Sequence, residues 1–166
     1  LVRYRPGDFI KVISLENEEV GIRLPQIIPD GRADRIIDIA GFTRLSERVM
    51  WQALENLGIR YEGWMIRKEL EDKEPVLRLY LATDETDLDR LQEEIHQSLK
   101  KFEPDYADLE SMSGLKPLRL KPLPYGVFER YTELRRAAGS DPGQLKAQCM
   151  APSDEVVETI LKLAEN

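Results

Sequence analysis

The chain carries one cysteine, Cys149, and one histidine, His96. A lone thiol cannot close an internal disulfide and fits a reducing cytoplasm. One His and one Cys cannot make a His/Cys metal site, so no metal held by this chain is expected. Long apolar runs are missing as well. None approaches the ~18 residues that a membrane span requires, and no charged-then-apolar leader opens the chain, so neither a membrane nor secretion is expected. Positive charge is in deficit. Lys and Arg number 24 against 31 Asp and Glu, for a formal net charge of -7, which argues against nucleic acid as a partner because phosphates need a basic face. A starting methionine is absent too: Leu1 opens the chain inside what reads as a sheet segment, which predicts a piece excised from a longer gene product.

What is present is 166 residues, 33% of them charged, enough for one soluble domain and a short piece of another. Residues 9–13 and 22–28 read as strands joined by the acidic turn Glu16-Asn17-Glu18-Glu19. A hairpin alone is marginal and needs a sheet to join. Asp30-Gly31 is a turn, Ile36, Ile37 and Ile39 suit a strand, and Gly41 breaks it. Helical apolar spacing follows over 45–57, with Gly58 as its stop. Strands are expected at 64–66 and 76–82, the second with Leu77, Leu79 and Leu81 on one face and Arg78 and Tyr80 on a wetter one. The clearest helix spans 84–102, where Leu88, Leu91, Ile95, Leu99 and Phe102 form a stripe ended by Pro104. His96 lies beside that stripe and reads as a surface residue.

Residues 105–116 fit a short helix or an ordered loop. Residues 118–121 alternate as an edge strand between Pro117 and Pro122, 125–138 form a helix, 144–150 an extended piece, and Ser153 caps a last helix to about residue 164. From Ile36 onward this order gives an α+β class, a ferredoxin-like βαββαβ sandwich with extra C-terminal helices, preceded by a β-hairpin.

Two stretches carry a family resemblance. Gly31-Arg32-Ala33-Asp34, a short strand, a glycine and a helix opening with Glu47 resemble the hinge segment of acyl-adenylate-forming enzymes. Tyr4-Arg5-Pro6-Gly7-Asp8 resembles the Tyr-Arg-Thr-Gly-Asp motif of the same superfamily. Farther on, Leu123-Pro124-Tyr125-Gly126-Val127-Phe128 and then Gln144-Leu145-Lys146 are similar to the end of the auxin-responsive acyl-acid amido synthetase family. That family has Asn-Gln-Tyr-Lys followed by Pro-Arg, whereas this chain has Leu145 for Tyr and Gln148-Cys149 for Pro-Arg.

The resemblance implies site residues, each of which also has a plainer reading. Asp8 would accept hydrogen bonds from the ribose hydroxyls of a nucleotide; Pro-Gly-Asp is equally an ordinary turn. Arg32 would lie near the nucleotide, its planar guanidinium suited to ribose or phosphate oxygens, or pair with Asp30 or Asp34. Asp34 would be the hinge between a large N-terminal and a small C-terminal domain, or a strand-cap aspartate. Lys146 would stabilise charge developing at an α-phosphate or activated carboxylate, or be a solvated lysine. Cys149 has no histidine near it in sequence and reads as a small apolar residue, not a nucleophile.

The implied organisation is a hairpin and hinge segment, residues 1–33, closing a missing N-terminal adenylation domain, and a small C-terminal lid, residues 34–166. The implied activity uses ATP with Mg2+ to turn a carboxylic acid into acyl-AMP, then passes the acyl group to an amine or to the thiol of coenzyme A, the acid and acceptor being bound through the missing domain. The chain alone is expected to be inactive. The competing expectation is a stand-alone ferredoxin-like module that binds a ligand or protein without catalysis.

Overall fold

The computed structural model describes residues 8–17, 20–21, 23–32, 35–39, 41 and 43–165. Strands β1 (Asp8–Ser14) and β2 (Gln26–Arg32) form an antiparallel hairpin, as the sequence predicts, but β2 starts later than residue 22 and runs through Asp30-Gly31, which is ladder and not a turn because Gly31 pairs with Phe9 past a register shift. Val12 faces Ile27 across the ladder and the adjacent Lys11 faces Ile28, so apolar side chains stand on both faces of the ribbon. Ile10, Val12, Ile13, Ile27 and Ile28 are each between 43% and 57% exposed. A two-stranded ribbon with both faces apolar and wet needs a covering partner.

Strands β3 (Ile36–Ile39) and β4 (Thr43–Ser46) make a second hairpin that runs straight into helix α1 (Glu47–Glu55). Its turn is tied by the Gly41 N–H donating to Asp38 Oδ1 at 2.9 Å, with Gly41 at φ 86°, a value that favours glycine. Ser46 ends the strand and caps the helix, its hydroxyl accepting from the Val49 N–H at 3.3 Å. The main sheet has the order β5 (Tyr61–Glu71), β6 (Glu74–Thr83), β7 (Leu118–Leu123). The β5–β6 pair is antiparallel and β6–β7 parallel, joined by helices α2 (Leu88–Phe102) and α3 (Pro104–Ser113). Helices α4 (Val127–Ala137) and α5 (Asp154–Ala164) complete the chain.

The class is α+β as expected, and from Ile36 the elements follow the expected order with one more strand, β4, before α1 and the helix α3 between α2 and β7. Within it, β3 pairs with β4 in a hairpin of its own, and β7 lies directly beside β6. The physical reason is the Gly41 turn, which folds β3 back on the residues preceding α1. β7 is an edge strand, which allows Pro122 to sit in it without costing a ladder hydrogen bond.

Two cores flank the sheet. Leu77, Leu79 and Leu81 pack with Ile66, α1, α2, α3 and the β3–β4 hairpin. Met65, Tyr80, Ala82 and Leu123 pack under α4 and α5. The wetter face is therefore covered at one end, where Tyr80 is buried, and open at the other, where Arg67, Glu69 and Arg78 interlock in ion pairs at 2.6 and 3.2 Å.

His96 is not at the surface; it is 3% exposed. Pro104 ends α2 but also opens α3, being tolerated in a first turn, and α3 folds back over the histidine. His96 Nδ1 lies 2.9 Å from the Tyr106 hydroxyl and Nε2 lies 3.3 Å from Glu110. A carboxylate only accepts, so Nε2–H donates to Glu110 and Nδ1 accepts from Tyr106. Lys100 and Lys116 also reach Glu110, at 2.5 and 3.1 Å. Hydrogen bonds from Lys100, Lys116 and His96 lower the Glu110 pKa from 4.5 to about 2. A carboxylate depressed in the folded state adds stability that is present above its unfolded pKa and lost as pH falls through the folded one. We expect the melting temperature of the wild-type chain to fall more steeply than that of Glu110→Gln as pH drops from about 4.5 to about 2. Parallel acid limbs in thermal melts would refute this.

Candidate functional site

Asp8 opens β1 and Arg32 closes β2, and the two are Cα partners across the ladder. Residues far apart in sequence are thus brought to one end of the ribbon. Asp34 and the segment 4–7 lie outside the described residues. Next to Asp34 in sequence, Arg35 pairs through Nη1 with Glu47 Oε2 at 2.7 Å at the start of α1.

Lys146 is exposed, in the loop between the short 3-10 turn Pro142–Gln144 and Met150. The base of that loop is fixed. The Ile66 N–H donates to the Cys149 carbonyl at 2.7 Å, and the Ala151 N–H donates to the Ile66 carbonyl at 2.8 Å. Met150, fully buried between these bonds, makes a parallel bridge to Ile66 on the free edge of β5. Gln148 Nε2 donates to the Met150 carbonyl at 2.8 Å, and Ala151 takes φ 47° to turn the chain into α5. The lysine therefore stands on a short exposed loop over a foot tied by main-chain bonds. Among the described residues it makes no hydrogen bond or ion pair that would hold its ammonium back.

Cys149 is half-buried. Burial, then the Glu47 carboxylate, push its thiol pKa up, offset by Arg35 and Lys146. A raised thiol is a poor nucleophile at neutral pH, in keeping with the reading of Cys149 as a packing residue. Arg35, Glu47 and Lys146 all act electrostatically on that sulfur. Sequence reasoning left Arg35 out. Its only signal was its place next to Asp34.

Two residues of the family-like motif have structural duties. Gly126 sits at φ 82° as the residue before α4, and its N–H donates to Glu62. Phe128 lies against Gly63, where an added Cβ would fall 2.8 Å from its ring. These contacts seat α4 on the start of β5.

The described residues hold no group of three or more His, Cys, Asp or Glu side chains placed for a metal ion. No helix among them is long and apolar enough to cross a membrane.

Among solved structures, the chain is similar to one titled GH3.15 acyl acid amido synthetase, with a TM-score of 0.71 and 18% identity, over 98% of this chain and 31% of that one. It is also similar to AtGH3.15 acyl acid amido synthetase in complex with 2,4-DB, at 0.66 and 17%, over 98% and 30%. At that identity the likeness speaks for the fold, and the chain spans under a third of the length of those proteins. None of the curated proteins matches. The sequence pattern of the GH3 family C-terminal domain matches residues 48–155, and the chain belongs to that family.

Proposed function

We propose that this chain is the lid of an ATP-dependent ligase that activates carboxylic acids. The observation that carries the reading is Lys146: an exposed lysine without a partner among the described residues, on a loop bolted to β5. Family membership adds the context in which such a lysine has work to do.

In the proposed reaction, a carboxylate oxygen attacks the α-phosphorus of ATP and pyrophosphate leaves, giving acyl-AMP. The Lys146 ammonium stabilises the charge that develops on the phosphate and carboxylate oxygens, a contribution that grows once water is excluded. Asp8 and Arg32, at the mouth of the ribbon, would contact the ribose and phosphates. Mg2+ would arrive with ATP and be held outside this chain. An amine, or the thiol of coenzyme A, then attacks the acyl carbon and AMP leaves.

The domain boundary follows the same logic. The ribbon's two apolar faces suit burial in a preceding adenylation domain, with residues 1–33 belonging to it. The division that puts residues 34–166 in the lid is supported by Ile37 and Ile39, buried in the same core as α1, α2 and α3, and by Lys68 Nζ, which donates to the Asp38 carbonyl at 3.0 Å. Asp34 would then be the hinge, where a few dihedrals can absorb a rotation. The test is ATP–pyrophosphate exchange by the full-length gene product with a panel of carboxylic acids. Exchange that depends on an acid, and that this chain alone does not show, is the expected result. Its absence with every acid would overturn the reading.

A further inference from the structure

Burial alternates along the segment that carries the lysine: Leu145, Ala147 and Cys149 are partly buried, whereas Lys146 and Gln148 are exposed. Ala147 packs against the core under α4 and α5, and Cys149 against the core on the other side of the sheet. Lys146 and Gln148 therefore leave the main chain between its packed residues, two positions apart. Gln148 is the nearer of the two to Met150, and its side chain binds back to that residue.

The geometry of the rung gives that side chain its task. The two main-chain bonds to Ile66 use the Cys149 carbonyl and the Ala151 N–H. In a parallel ladder the peptide groups of the residue between them point away from the neighbouring strand, so β5 offers the Met150 carbonyl no donor. Among the described residues no main-chain N–H reaches it either. Met150 is fully buried, and a buried carbonyl left unpaired is costly. Gln148 Nε2 supplies the donor at 2.8 Å. A carbonyl only accepts, which fixes the orientation of the amide. The bond closes a ring of side chain and main chain over residues 148–150, where the arm bearing Lys146 joins the rung. Residues 146–148 make no other hydrogen bond among the described residues.

We propose that Gln148 is the positioning residue for Lys146: by closing its amide on the Met150 carbonyl, it holds the root of the arm so that the ammonium meets the reacting phosphate from one direction. The proposal rests on the reading of Lys146 above and adds the group that aims it. The lysine stem is long and flexible, so the place where the main chain launches it decides where the charge can stand. A misplacement of about 1 Å is enough to cost a large part of a positioned group's effect. Proline, which the similar family's motif has at this place, would stiffen the same root by fixing φ. The Gln148 N–H makes no hydrogen bond among the described residues, so a proline ring there removes none.

The experiment uses the full-length gene product. Gln148→Ala slows pyrophosphate exchange about tenfold, while transfer from added acyl-AMP stays within about twofold of wild type. Gln148→Pro brings exchange back to within about threefold of wild type. On a Lys146→Ala background, Gln148→Ala costs nothing further, because a residue that aims the lysine then has nothing to aim. Trypsin cuts the Lys146–Ala147 bond about tenfold faster in Gln148→Ala than in wild type, since the arm has lost its clasp. Exchange unaffected by Gln148→Ala, both steps slowed alike, or losses that add in the double variant overturn the proposal. If the wild type exchanges with no acid, the enzyme reading fails. The cleavage rate then decides alone whether Gln148 fixes the arm, and equal rates in wild type and Gln148→Ala overturn it.

Discussion

Lys146→Ala in the full-length protein is expected to slow acyl-adenylate formation by roughly two to three orders of magnitude, the usual cost of deleting one charge-stabilising donor at a reacting oxyanion. The melting temperature should not move, because the side chain is exposed and the loop is held by main-chain bonds at Ile66. Transfer of the acyl group from added acyl-AMP should survive, since that step does not need the lysine at the phosphate. Lys146→Arg keeps the charge but replaces a compact ammonium with a planar fork, and should recover only part of the rate. Pyrophosphate exchange and single-turnover transfer, run on the same preparations, separate these outcomes. Equal loss in both steps would mean that Lys146 serves the architecture and not the chemistry.

The largest effect on stability is expected at Tyr106. It is fully buried where α3 folds over α2, and its hydroxyl meets His96 Nδ1 at 2.9 Å. Tyr106→Ala removes a ring from a packed core and leaves the imidazole without its donor, at a cost of about 3–5 kcal/mol. For a domain of this size that is a fall of roughly 10 °C in melting temperature. Tyr106→Phe keeps the ring and removes only the hydroxyl, so about 1–2 kcal/mol is expected. Denaturant titrations of the two variants measure the packing and hydrogen-bond contributions separately. A Phe variant as damaged as the Ala variant would show that the hydrogen bond, not the ring, organises this corner.

The same corner shows what the sequence could and could not convey. Helix α2 was readable because five apolar residues recur at helical spacing and bury one face. Helix α3 stayed open between a short helix and a loop, because among its ten residues only Tyr106 and Leu109 are buried, too few to set a period. With α3 unsettled, nothing pointed to a cover for His96, and a histidine beside an apolar stripe looked solvated. The strand at 64–66 proved part of the eleven-residue β5, whose far half alternates charges toward solvent and so carried little apolar signal. Among the site residues, the pairing of Asp8 with Arg32 could not be foreseen, because β2 runs on through Asp30-Gly31, which reads as a turn, and the ladder shifts register between Phe9 and Ile10. Nor could the seating of the Lys146 loop. It depends on residues 149–151 laying themselves along β5, a contact between segments more than eighty residues apart that leaves no periodic trace.

That contact also bears on how the loop tolerates change over generations. The rung at Met150 is built from peptide groups, Ile66 N–H to Cys149 carbonyl and Ala151 N–H to Ile66 carbonyl, with one buried thioether between them. Peptide groups come with every residue. Inheritance must therefore preserve the spacing from the lysine to the rung and an apolar residue at its centre. Where this chain parts from the family's Tyr and Pro-Arg, Leu145 stands before the lysine, Gln148 adds a side-chain bond to the Met150 carbonyl, and Cys149 packs against the core and lends its carbonyl to the rung. The main-chain bonds of the rung themselves are open to any residue at these three places.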